Sequence, residues 1–382
     1  MRVLFTASPA LGHMFPMIPL AWAYRAHGHE VLVATAGPGL DAAVGAGLIA
    51  VDVAPGTDFG AIFGKNTGTA EDRAAEMRRR GQAIAAQGVT PDFVLERFSA
   101  ISALLAARTL ELARHWRPDL IVYSRLQGGG LLAASDLGVP AVEHGFGFTR
   151  EEDLPARFLP HLAPVFANHG VELDLPELHQ LHVVPPSMTV GERVASLDVR
   201  YVPYNQGATL PSELTQHRAR SRIAVTLGTI VPQMLGLGSL GRMLAAAAEA
   251  DADFVLAVGS TDVGPLPPNV RAFGWLPLSA LLNVCDGIIH HGGAGTTMAA
   301  VCAGLPQVVL PHAADAFVNA AAVARLGMGV SLDGGVAGGE VGAGTLGALL
   351  TDGTWRKAAA QVRAEIEALP SPAAMVRLLP GT

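Results

Sequence analysis

Two short stretches carry residue types at spacings suited to group transfer. In DGIIHHGGAGTTMAAVCAG, an apolar strand runs into His290 and His291, then glycines, then a helix beginning at Ala294. A helix N-terminus after a glycine turn exposes unpaired N–H groups and the positive end of the helix dipole, a setting that suits a diphosphate. Thr296 and Thr297 add hydroxyl donors in the first turn, and His291 can place an imidazole N–H on a phosphate oxygen. A glycine-rich turn that only packs strand against helix fits the same letters. The run is neither G-x-G-x-x-G nor G-x-x-x-x-G-K-[ST], so dehydrogenase and P-loop signatures are both missing. The second stretch is SPALGH, which puts His13 between a first strand and a helix beginning near Pro16. The dipole at a helix N-terminus disfavours an imidazolium, and a neutral imidazole is what a general base requires. A histidine that caps its own loop is the plainer alternative.

These residues need a scaffold, and 382 residues leave room for two domains of about 150 each. Short apolar runs alternate with helical segments throughout, the pattern of βα units feeding parallel sheets. RVLFT (2–6), EVLVAT (30–35), DLIVYS (119–124) and VPAVEH (139–144) read as strands. Helices are expected from Pro16 to His27, closed by Gly28, and over about 70–87 and 91–116. The periodicity lapses between about 200 and 222, then restarts with RIAVTLG, FVLAVGS (254–260), DGIIHH (286–291) and QVVLP (307–311). The expected organisation is a domain over 1–205, a linker over 206–221 and a second domain over 222–382. A final helix, about 354–368, precedes a tail that can fold back onto the first domain. Open parallel sheets bind ligands at the carboxyl ends of their strands, so a cleft between two such domains is the expected site.

Composition excludes other classes. Net charge is −7 and aromatics make up 5%, so neither a basic face nor a base-stacking platform for nucleic acid is indicated. Cys285 and Cys302 lack zinc-site spacing and are too few for a secreted disulfide framework, which points to the cytoplasm. The opening apolar run is too short for a secretory signal. Residues 287–314 contain no Asp, Glu, Lys or Arg, yet their three histidines, glycine run and two prolines read as strand, loop, helix and strand rather than a membrane span. Asp251 and Asp253 form a D-x-D, but they precede a strand, at the wrong end of the sheet for a metal in the cleft.

The segment WLPLSALLNVCDGIIHHGGAGTTMAAVCAGLPQVVLPHAADAFVN (275–319) closely resembles the nucleotide-sugar signature of natural-product glycosyltransferases of the GT-B fold, above all the bacterial antibiotic-tailoring branch. The opening MRVLFTASPALGHMFPMIPLAWAYRAHGHEV is similar to the start of the same enzymes. The resemblance implies an α/β architecture of two Rossmann-like doubly wound domains facing a central cleft. It sets Trp275 and Leu276 beside the base, His291 on the diphosphate, and Gly293, Ala294, Gly295 and Thr296 as donors to it. Asp315 would receive sugar hydroxyls, and the loop at Gly228 and Thr229 would close over the phosphates. His13 becomes the general base. The aspartate that often orients it in the family is matched by Ser124, which can hold a ring tautomer but cannot stabilise an imidazolium as a carboxylate does.

Two departures from the plant-type signature bear on the donor. Ala299 stands where a glutamate reads the ribose diol, and Ala316 where a glutamine binds a sugar hydroxyl. Both favour a thymidine diphosphate (TDP) deoxysugar over a uridine diphosphate sugar. The expected activity is inverting transfer from a TDP-sugar to a hydrophobic acceptor such as a polyketide, with Phe59, Phe63, Phe146 and Phe148 as candidate acceptor contacts. No metal or cofactor is expected beyond the sugar nucleotide as co-substrate, and no nucleic-acid or membrane partner; a homodimer is left open. The alternatives are a catalytically silent sugar-nucleotide-binding activator of the same fold, or carbon glycosylation of an aromatic ring.

Overall fold

The computed structural model describes residues 1–59, 69–191, 196–216, 218–228, 240–259, 263–312, 314–332 and 341–380. Among the described residues thirteen strands form two sheets in which every pairing is parallel. The first holds β1 (Arg2–Thr6), β2 (Glu30–Thr35), β3 (Ala50–Asp52), β4 (Leu120–Ser124), β5 (Ala141–His144), β6 (Leu178–His182) and β7 (Leu197–Asp198), in the order β3-β2-β1-β4-β5-β6-β7. The second holds β8 (Ser221–Thr226), β9 (Ala252–Ala257), β10 (Val270–Phe273), β11 (Gly287–His290), β12 (Gln307–Val309) and β13 (Gly329–Ser331), in the order β10-β9-β8-β11-β12-β13.

Central strands of a parallel sheet are covered on both faces and are therefore continuously apolar. The runs in β1, β4, β8 and β11 have this character, and their residues are almost wholly buried. β3, β6, β7, β10 and β13 escape a reading by apolar runs. They are two to five residues long, lie at or next to a sheet edge, and carry polar letters, as in LHQLH of β6.

Strand order reverses between β1 and β4 in the first sheet and between β8 and β11 in the second. At such switch points neighbouring connections leave in opposite directions and open a crevice at the strand ends. His13 and Ser124 follow β1 and end β4; Gly228 and His291 follow β8 and β11. The charge-free stretch 287–314 resolves into β11, the glycine turn, the helix Ala294–Ala303 and β12. No helix among the described residues is long and apolar enough to cross a membrane.

The helix expected from Pro16 to His27 is two elements, a 3-10 turn Phe15–Met17 and the helix Ile18–Ala26, and a further short helix, Leu11–Met14, precedes them. Gly28, at φ +83°, terminates it in a conformation that costs glycine little. The helix Ala70–Gln87 is closed at its start by a reciprocal capping box between Thr69 and Asp72. Asp352 caps the helix Gly353–Ala368 by accepting from the N–H groups of Thr354 and Trp355. Beyond that helix, Met375, Val376 and Leu379 are buried in the same core as Met17 and Tyr24, and the Arg200 N–H donates to the Pro370 carbonyl at 2.8 Å. The chain end thus returns to the helices that cover the first sheet.

Candidate active site

His13 lies inside the short helix Leu11–Met14 rather than in a loop ahead of one. Its ring sits 4.0 Å from that of Phe146, which follows β5, and 5.1 Å from that of Phe98, on the helix Asp92–Trp116. Burial holds its pKa down at about 3. The imidazole is therefore neutral, but desolvation, with the two aromatic rings beside it, accounts for this rather than the helix dipole expected from sequence. Ser124 Oγ lies 3.5 Å from His13 Nδ1 and accepts from the Ser8 N–H at 3.2 Å. An Nδ1–H tautomer donating to Ser124 leaves the Nε2 lone pair as the basic site.

Other ionisable side chains at the strand ends of the two sheets are engaged elsewhere. Arg125 donates to the Thr149 carbonyl and to Glu151. Glu143, whose carboxyl burial pushes up, accepts from the Tyr123 hydroxyl at 3.2 Å. His144 holds the Gly145 carbonyl at 2.9 Å, and His312 that of Leu310 at 2.7 Å. Of the four phenylalanines proposed to meet an acceptor, only Phe146 is found beside His13. Phe148 is fully buried in the core and Phe59 packs in another apolar cluster against Gly37, so both rings are withdrawn from water among core side chains. Phe63 lies outside the described residues. Phe98 was missed, since its partners come from distant segments and its helical spacing looks like core.

On the opposite sheet, β11 ends at His290 and the chain turns through Gly292, at φ +86°, into Gly293, which caps the helix Ala294–Ala303. The His291 ring is wedged between two glycines. A Cβ on Gly228 would lie 2.5 Å from its Cε1, and one on Gly293 2.5 Å from its Nε2. Nδ1 is buried without a partner among the described residues. Burial first, then the neighbouring His290 and His312, lower its pKa to about 3, against a hydrogen bond to the Thr226 backbone. A neutral imidazole beside the free N–H groups of a helix start sits where an anion would be held, although the ring also has the Thr226 backbone as a hydrogen-bond partner.

Thr297 does not contribute, because its hydroxyl donates back to the Gly293 carbonyl at 3.0 Å. Thr296 is half-buried and Ala294 and Gly295 form the first turn beside it. Thr229 lies outside the described residues. His290, read only as a strand end, has a specific task. Its Nδ1 accepts from the Gly292 N–H at 3.1 Å while Nε2 donates to Gln307 Oε1 at 2.9 Å, so its tautomer and the glycine turn fix each other.

Trp275 is 40% exposed and tethered by its indole N–H to the Asn205 carbonyl at 3.0 Å, which leaves a ring accessible for stacking. The Leu276 side chain does not stand beside it in the cleft but turns into an apolar cluster with Ala299. Asp315 precedes the helix Ala316–Arg325 directly after Ala314, whose φ of +49° is unusual for alanine. Burial raises the pKa of Asp315, against a hydrogen bond from Asn319 Nδ2 at 3.1 Å. The two halves of the chain meet beside this residue, where Gly81 faces Phe317 and the Ala314 carbonyl so closely that a Cβ would overlap the phenyl ring. Asp251 and Asp253 lie at the amino end of β9, both paired with Arg220.

The buried histidines make stability depend on pH with a definite sign. Folded pKa values of about 3 for His13, His182 and His291, and about 4 for His144 and His290, lie below the unfolded value near 6.5. Below pH 6.5 the unfolded chain binds protons the folded chain does not, so this stability is present above 6.5 and lost as pH falls toward 4. The slope is about 1.4 kcal/mol per pH unit for each histidine. The raised carboxyls of Glu143 and Asp315 act in the opposite sense and are outnumbered. The urea midpoint should accordingly fall between pH 7 and pH 5; a flat or rising midpoint would contradict the burial of these rings.

Comparison with known proteins agrees with this fold. Residues 22–228 match the family described as erythromycin biosynthesis protein CIII-like, N-terminal domain, and residues 241–380 its C-terminal domain. Elloramycin glycosyltransferase ElmGT of Streptomyces olivaceus is 41% identical over 98% of this chain and 95% of its own. The crystal structure of the glycosyltransferase SnogD from Streptomyces nogalater superposes with a TM-score of 0.85 at 38% identity, covering 99% of this chain and 98% of that one. The glycosyltransferase SsfS6 of Streptomyces sp. SF2575, solved with thymidine diphosphate, gives a TM-score of 0.77 at 30% identity, covering 99% of each chain. With both sheets and both domain models matched, the chain belongs to the erythromycin biosynthesis protein CIII-like family of GT-B glycosyltransferases.

Proposed function

We propose that this chain is an inverting, metal-independent glycosyltransferase that moves a deoxysugar from a TDP-sugar to a hydroxyl of a hydrophobic, polyketide-type natural product. The observation that carries the reading is the pairing of two neutral imidazoles at two switch points: His13, buried beside aromatic rings on one sheet, and His291, half-buried at a helix start on the other. His13 Nε2 takes the proton of the acceptor hydroxyl as its oxygen attacks the anomeric carbon from the face opposite the diphosphate. Ser124 holds the tautomer. Charge building on the leaving diphosphate is met by the His291 N–H and the backbone N–H groups at the start of the helix Ala294–Ala303, donors that need no reorganisation. Trp275 would stack on the base and Asp315 accept from the sugar.

The preference for thymidine over uridine rests on Ala299, whose methyl group is buried in the same apolar cluster as Leu276 and offers a ribose 2′-hydroxyl no acceptor. The SsfS6 structure with thymidine diphosphate supports the same choice. Calorimetric titration with TDP and UDP in EDTA tests donor and metal independence together: tighter TDP binding without metal is expected, and no binding of either removes the donor site. In the same assay His291→Ala should weaken TDP by about 10–100-fold, the loss of one hydrogen bond to a charged group. An unchanged affinity would detach His291 from the diphosphate. One feature favours a second reading, a silent activator: Ser124 stands where a carboxylate would strengthen the base. Wild-type protein that binds TDP yet turns over no donor would support it.

A further inference from the structure

We propose that Asn319 is a positioning residue that couples the grip on the diphosphate to the grip on the sugar, by tying the glycine turn to the Asp315 carboxylate. The inference rests on the donor-site reading given above. Asn319 is wholly buried on the helix Ala316–Arg325, four residues after Asp315, and helical spacing puts the two side chains on one face. Its amide nitrogen has two protons, and each has an acceptor. One goes to the Gly292 carbonyl at 2.8 Å, the other to Asp315 Oδ2 at 3.1 Å.

Contact between these elements is already close. A Cβ on Gly292 would lie 3.0 Å from the Ala316 carbonyl and 3.1 Å from the Ala316 Cβ, so the turn rests directly on the first residue of the helix. Asn319 Oδ1, by contrast, is buried without a partner among the described residues. An orphaned buried acceptor is costly, and flipping the amide would not help: it would turn Oδ1 against two acceptors and strand both. The orientation is thus set by Gly292 and Asp315 together.

The consequence is mechanical. Asn319 holds one carboxylate oxygen of Asp315, and its second bond fixes how far that carboxylate stands from the loop that would hold the diphosphate. Tertiary contact alone creates this link, since Gly292 and Asn319 are 27 residues apart.

The test reads the contribution of the sugar as the ratio of the TDP dissociation constant to that of TDP-glucose, measured by calorimetry on the full chain. Asn319→Leu keeps the branched shape and heavy-atom count and removes both hydrogen bonds. The ratio should fall about tenfold, as it should in Asp315→Ala, and the double variant should fall no further, because the two residues act as one unit. Should Asn319→Leu not fold, Asn319→Ala relieves any overpacking and is read in the same way. A ratio unchanged by the Asn319 substitution, or losses that add in the double variant, overturns the coupling. Failure of the wild-type chain to bind TDP at all instead overturns the donor-site reading beneath it, so the two failures are distinct. A purely structural asparagine would shift both dissociation constants together and leave the ratio where it was.

Discussion

Replacing His13 by alanine is expected to slow sugar transfer by about 10²–10⁴-fold, the usual worth of a positioned general base, while leaving TDP affinity unchanged. The separation follows from the fold. His13 belongs to the crevice after β1 and β4, whereas the loops assigned to the donor follow β8 and β11. The substitution exchanges a neutral ring, flanked by Phe98 and Phe146 and held only by a 3.5 Å contact to Ser124, for a small apolar group. Steady-state transfer and TDP calorimetry on the same preparation check both halves. Undiminished transfer would remove the base assignment, and loss of both activities would indicate damage to the fold. With its pKa held at about 3, His13 stays deprotonated across neutral pH, so wild-type kcat/KM should show no acidic limb near the ordinary histidine value. An acidic limb near pH 6.5 would mean that the acceptor or a closing motion rehydrates the ring.

Glu151→Ala should cost about 3–5 kcal/mol of unfolding free energy in urea, the range for removing one partner of a buried ion pair. The Glu151 side chain is 2% exposed and receives four donors: the Thr90 N–H at 2.8 Å, the Thr90 hydroxyl at 2.7 Å, Arg157 Nη1 at 2.8 Å, and Arg125 Nη2. Its removal leaves the buried Arg125 guanidinium with the Thr149 carbonyl and, of its two neighbouring carboxylates, only Glu143. Glu151→Gln, which keeps an acceptor for Thr90, should cost less. The effect should also reach the acceptor side. Thr90 sits in the turn between the helices Ala70–Gln87 and Asp92–Trp116, and these carry Gly81 at the seam beside Asp315 and Phe98 beside His13. A loss below about 1 kcal/mol, the range of an exposed pair, would mean that the network is solvated in solution.

Glu151 also shows where reading the chain stops. In the letters REEDLP it is one of several consecutive acids, and such runs are usually solvated. Nothing nearby announces that Thr90, Arg125 and Arg157 converge on it. Phe148 and Phe59 mark the same boundary from the other side. An aromatic residue in a loop after a strand suits a ligand pocket or a core equally well, and only the packing of neighbouring helices decided for the core. Asn319 stood at the end of a readable motif, yet its two acceptors became visible only when Gly292 was brought against the helix that follows β12.

By itself the sequence determined the parallel α/β architecture, because central strands covered on both faces must be uninterrupted apolar runs. It also determined the two crevice loops, because a glycine turn at a helix start and a histidine after a first strand are local patterns read within a dozen residues. The tertiary structure decided which side chains face ligand and which face core, and which edge strands exist. It also decided why His13 is neutral and what holds Asp315 and His291 in place. Those properties depend on burial and on partners far away in the chain, and desolvation is a property of the assembled surroundings that no local spacing encodes.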